Sequence, residues 1–111
     1  MGMENSLKLK TPPDLLPLAT GASLKIFELD GAAGMIMPVH YCTEEAVVSV
    51  KAGSSRLQFE DHAMILEKGE SFLLPAGKTH SLTLLEDFQA LVVMPVESDI
   101  KCKVSPHNTS L

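Results

Sequence analysis

The residues of this chain best suited to chemistry are His40, Cys42 and His80. His40 and Cys42 lie two apart in a run that reads as a β-strand, so their side chains share one face. His80 follows the turn Pro75-Ala76-Gly77-Lys78-Thr79 and opens the next strand. Neutral imidazole and thiolate are donors for zinc, and in other geometries for iron, nickel or copper. The same residue types also have a plain structural use. Cysteine is a small core filler, and a buried histidine is satisfied by hydrogen bonds.

The elements that must position these residues are legible around them. Gly69-Glu70-Ser71-Phe72-Leu73-Leu74-Pro75-Ala76-Gly77-Lys78-Thr79-His80 reads as a strand running into a Pro-x-Gly turn. Pro75 presets φ and Gly77 accepts φ > 0, so the chain reverses within a few residues. Upstream, Gly34 is followed after five residues by His40-Tyr41-Cys42, and further on by Gly53.

These two glycine-anchored stretches resemble the two motifs of the cupin family. The resemblance covers residues 34–84 by motif and 24–96 by strand count. It implies an all-β, single-domain antiparallel double-sheet jelly roll, in which both histidines point into a small barrel. His40, Cys42 and His80 then stand at the family's metal-ligand positions, with Cys42 where a second histidine is the rule. The family's glutamate falls on Ala46, and the asparagine expected four residues after the second-motif histidine is Leu84.

Glu44 and Glu45 invite a one-residue slip that would restore the carboxylate. Strand parity argues against it. In residues 46–51 the alternate set Ala46, Val48 and Val50 is apolar, whereas Val47, Ser49 and Lys51 is not. The apolar set faces the core, so Glu45 points outward and a slip would bury Lys51. The pocket expected from the resemblance is therefore lined by His40, Cys42, Ala46, Val48, His80 and Leu84.

The remaining chain is strands and turns. Leu24–Leu29 is apolar on both faces, as in a strand covered on two sides. Ser55–Glu60 alternates cleanly, with Leu57 and Phe59 on one face, and Asp61-His62 reads as the exposed tip of a hairpin returning through Ala63–Glu67. Ser71–Leu74, His80–Leu85, Phe88–Val96 and a weaker strand near Ile100–Val104 follow. Eight or nine short strands with frequent turn signals point to a sandwich or barrel. The expected organisation is an N-terminal extension at 1–23, partly ordered, a cupin domain at 24–104 and a tail at 105–111. Pro12, Pro13 and Pro17 exclude a long helix in the extension. Cys102 is expected to be packed, and His62 and His107 to be exposed.

At 111 residues the chain is long enough for one domain with one core. Nine basic against fourteen acidic side chains give a net charge of −5, Arg56 is the only arginine, and aromatics are 5% with no Trp. That balance excludes the basic, aromatic-bearing face of a nucleic-acid binder. No phosphate loop and no nucleophile–base pattern occurs. The longest apolar runs, such as Ala90–Val96, fall well short of the ~20 residues that span a bilayer, and no secretory leader pattern is present. Cytoplasmic location with free thiols is the expectation. Met1–Ser6 fits the loose N-myristoylation pattern without an accompanying basic cluster. Asn108-Thr109-Ser110 is a glycosylation sequon that has meaning only in a secreted protein.

Two functions fit. One is a small-ligand-binding cupin, non-catalytic or acting as a sensor or accessory protein, supported by Ala46 and Leu84. The other is a metal-dependent enzyme, a dioxygenase or isomerase on a small organic acid, using His40, Cys42 and His80 with one divalent Zn, Fe or Ni. A purely structural barrel is a third. A homodimer is expected from the resemblance, and membrane or nucleic acid is not expected as a partner.

Overall fold

A computed structural model describes residues 12–102. The Met1–Ser6 pattern, His107 and the 108–110 sequon lie outside the described residues. The strands are β1 (Asp14–Thr20), β2 (Leu24–Gly31), β3 (Ile36–Cys42), β4 (Ala46–Ala52), β5 (Ser54–Phe59), β6 (Ala63–Glu67), β7 (Ser71–Leu74), β8 (His80–Leu84), β9 (Phe88–Pro95) and β10 (Ile100–Cys102). They form two five-stranded antiparallel sheets, ordered β1-β2-β9-β4-β7 and β10-β3-β8-β5-β6. Among the described residues no helix is long and apolar enough to cross a membrane.

Period-two alternation builds the core between the sheets. On β9, Phe88, Ala90, Val92 and Met94 are buried while their neighbours are half-exposed. On β4, Ala46, Val48 and Val50 are buried and Val47 and Lys51 are exposed. The parity inferred for residues 46–51 is the one the structure has, and Glu44 and Glu45 are both exposed. Leu57, Leu66, Leu74, Leu82 and Leu84 complete the same core. Each such leucine contributes roughly 1.5–3 kcal/mol by leaving water.

Two backbone contacts hold the motifs together. The Gly77 N–H donates to the Cys42 carbonyl at 2.8 Å, docking the Pro75–Gly77 turn on the end of β3. Gly77 has φ 74°, which a residue with Cβ rarely adopts. Gly53, at φ 79°, lies where a Cβ would land on the Asp87 carbonyl oxygen. That close approach explains the glycine that closes the first motif.

Asp14–Thr20, within the expected extension, is a regular edge strand paired with β2. Pro17 fits there because the register shifts beside it and an edge strand tolerates a missing N–H. β2 is not covered on both faces: Leu24 is 54% exposed, and β1 lies beside β2 in the sheet rather than over it. Cys102 is exposed, not packed. The His62 tip is exposed as expected.

Candidate functional site

Strand register brings the two motif histidines together. His40 of β3 lies directly opposite His80 of β8, and their rings meet edge to face with centroids 4.3 Å apart. Both are buried, at 6% and 4% exposure. Each ring is oriented by the same local device. His40 Nδ1 bonds the Pro38 carbonyl at 2.7 Å, and His80 Nδ1 bonds the Lys78 carbonyl at 2.9 Å. A carbonyl only accepts, so each Nδ1 carries the hydrogen and each Nε2 is left with a lone pair. Neither Nε2 has a hydrogen-bond partner among the described residues.

Burial also holds both rings neutral. Desolvation pushes His40 below the ordinary imidazole value, against the opposing effect of its bond to Pro38. It pushes His80 down to about 4, opposed by the Lys78 carbonyl and assisted by the neighbouring His40. Cys42 moves the other way: burial raises its thiol, so the thiolate is disfavoured.

The pair stands on the wall of a partly open cavity of about 40 Å³. His40, Cys42 and His80 share that wall with Leu29, Val48, Leu57, Leu66, Leu74, Leu82, Val92 and Ile100. Ala46 and Leu84, expected in the pocket, are buried at 1% exposure each but do not line it. Ala46 packs opposite Leu74, and Leu84 belongs to the far end of β8, where its backbone pairs with Gly34 and Met35. Phe59 has a larger part than its sequence context suggests. Its ring is 5.8 Å from His80, with His62 stacked on it at 4.9 Å and the Lys78 ammonium 4.7 Å from its centroid. The alternation of Leu57 and Phe59 marked it as inward-facing, but only the β5–β8 register shows it opposite His80.

A metal is what the cupin resemblance implies, and the donors can be tested against it. Two neutral imidazoles with Nδ1–H held by carbonyls and free Nε2 lone pairs have the donor chemistry of metal-binding histidines. The pair fits such an ion. Cys42 does not complete the set: among the described residues, no three His, Cys, Asp or Glu side chains come together to hold one. Cys42, expected as the third donor, stands beside the pair in the cavity wall as a buried free thiol.

Two five-stranded antiparallel sheets closed over one core, with paired imidazoles in the interior, define a double-stranded β-helix. The chain has the cupin fold. A cupin superfamily protein from Desulfitobacterium hafniense is 17% identical, with a TM-score of 0.71 over 79% of this chain and 81% of that one. DMSP lyase DddQ from Ruegeria pomeroyi is 22% identical, with a TM-score of 0.75 over 83% of this chain and 52% of that one. The polyketide cyclase RemF from Streptomyces resistomycificus is 21% identical, with a TM-score of 0.69 over 82% of this chain and 70% of that one. No protein-family profile and no curated protein matches the chain.

Proposed function

We propose that this protein binds a small molecule inside the barrel, held at the Nε2 atoms of His40 and His80. The observation that carries the reading is the pair of Nδ1–carbonyl bonds, which leaves two adjacent acceptors on the wall of an apolar cavity. The ligand they select is neutral and offers a hydroxyl or N–H. A bound carboxylate would need an imidazolium beside it, and burial opposes that charge. At about 40 Å³ the cavity admits the end of a ligand and not a whole ring, since ~150 Å³ is the size that takes benzene.

The test is calorimetric titration of small alcohols, amides and phenols into wild type, His40→Ala and His80→Ala. Binding in wild type that is lost in both variants supports the reading; binding unchanged in both removes the pair from recognition. A metal-dependent isomerase or dioxygenase acting on a small organic acid is the second reading. The free Nε2 lone pairs favour it, and the missing third donor from the first motif weighs against it.

A homodimer belongs to the same proposal. Ala19, Ile26, Val93, Val47 and Leu73 form one apolar row across all five strands of the first sheet's outer face. Second-sheet rows such as Ile36–Thr83–Arg56–Ile65 mix polar with apolar. A row without charge suits a second copy of itself, because association there brings no like charges of the acidic chain together. Sedimentation of wild type against Val47→Glu/Leu73→Glu checks it: a dimer that becomes a monomer is expected, and a monomeric wild type contradicts it.

A further inference from the structure

His40 and His80 present the same group twice. Each gives its Nδ1–H to the carbonyl two residues back, and each turns its distal nitrogen, Nε2, off the backbone as an acceptor. The rings meet across β3 and β8 at a centroid spacing of 4.3 Å. One nitrogen donating two hydrogen bonds of about 3 Å each bridges acceptors up to roughly 5 Å apart. The ring spacing falls within that reach. Of the other side chains lining the cavity only Cys42 carries a donor, and a thiol is a weak one. The wall thus offers two imidazole acceptors, one weak donor and otherwise hydrocarbon.

We propose that the barrel selects a primary carboxamide, whose NH₂ group gives one hydrogen to His40 Nε2 and the other to His80 Nε2. What points to a ligand with two donors is the burial of the pair: both residues are more than nine-tenths buried, and no described residue donates to either Nε2. A ligand with a single hydroxyl or N–H satisfies one acceptor and leaves its neighbour dry, at the cost of that acceptor's lost bond to water. A protonated amine has hydrogens enough, but it brings a charge to a wall where burial already keeps both imidazoles from charging. A carboxamide stays neutral. Its carbonyl accepts from the Cys42 S–H, and a short aliphatic tail packs on Leu57, Leu82 and Val92. Water also has two hydrogens and is the competitor to displace. The amide makes the same two bonds and buries its tail besides.

The inference rests on the imidazole pair as the binding centre, and the experiment separates the two claims. Propionamide, N-methylacetamide and N,N-dimethylformamide are isomers of one formula with two, one and no N–H donors. Each is titrated, with n-propanol as the hydroxyl control, into the full chain labelled with ¹⁵N-histidine and freed of metal by chelation. The resonances of both Nε2 atoms are followed. All comparisons are made within wild type, so no substitution that could unfold the barrel is needed. Propionamide should shift both Nε2 resonances, and affinity should fall about tenfold (~1.4 kcal/mol) for each N–H removed. If N-methylacetamide or n-propanol binds as tightly as propionamide and shifts an Nε2 resonance, the pair is the centre but the carboxamide assignment is wrong. If propionamide binds without moving either resonance, the pair is not the centre and both claims fall. No detectable binding of propionamide overturns the carboxamide assignment, and n-propanol then tests the pair by itself.

Discussion

Acidification should destabilise this protein through His80 before its carboxylates titrate. The folded state holds the His80 imidazole near 4 against an ordinary value of 6.5, chiefly because the ring is buried. As pH falls through 6.5 the unfolded chain takes up a proton that the folded chain refuses, so stability rises with pH across this window. The contribution is fully present above 6.5 and is lost as pH falls towards 4, where the folded ring also protonates. At 1.36 kcal/mol per tenfold change in proton affinity the gap corresponds to roughly 3 kcal/mol. Partial solvent screening trims it to about 2–3 kcal/mol. His40, also lowered by burial, adds in the same direction. The assay is urea unfolding of metal-free protein at a series of pH values, for wild type and His80→Gln. The wild-type curve should be steeper by up to about 1.4 kcal/mol per pH unit, the limit for one proton. Parallel curves for the two proteins would refute the reasoning, because the other titrating groups are common to both.

Three substitutions probe what surrounds the pair, each read by thermal or urea melts. Ala46→Glu restores the residue of the cupin motif at a position only 1% exposed opposite Leu74. It should cost about 3 kcal/mol in chelator, or force the carboxyl to stay protonated; an unchanged melting temperature would show that the side chain escapes the core. Ser55→Ala should be neutral or stabilising by about 1 kcal/mol, because Ser55 Oγ is buried with no hydrogen-bond partner. A large loss would mean the hydroxyl is satisfied after all. Gly53→Ala should cost about 3 kcal/mol or more, since its Cβ meets the Asp87 carbonyl at a positive φ; a melt within a degree of wild type would contradict that packing.

The fold was legible because its signals are local and redundant. The glycine spacing, the Pro75–Gly77 turn and the parity of Ala46–Lys51 each depend on a few neighbouring residues, and each holds in the structure. Asp14–Thr20 was not legible as a strand, because Pro17 within it argues against a ladder position unless the strand lies at a sheet edge. The site was legible by halves. Motif spacing placed His40 and His80 on facing strands, but their direct opposition depends on register between β3 and β8, distant in sequence. Cys42 shares a face with His40 by being two residues away, and it lines the same cavity. Of the six residues expected in the pocket, His40, Cys42, Val48 and His80 line the cavity, while Ala46 and Leu84 share their inward parity but are buried elsewhere in the core.

His40 and His80 are neutral rings with Nδ1–H held by backbone and Nε2 bare. Long-range ¹H–¹⁵N correlation spectra of histidine-labelled, metal-free protein near pH 7 read the tautomers directly. Both rings are expected in the Nδ1–H form with an unprotonated Nε2, persisting in His80 as pH falls well below the ordinary imidazole range. An Nε2–H tautomer on either ring, or an imidazolium at neutral pH, would contradict it.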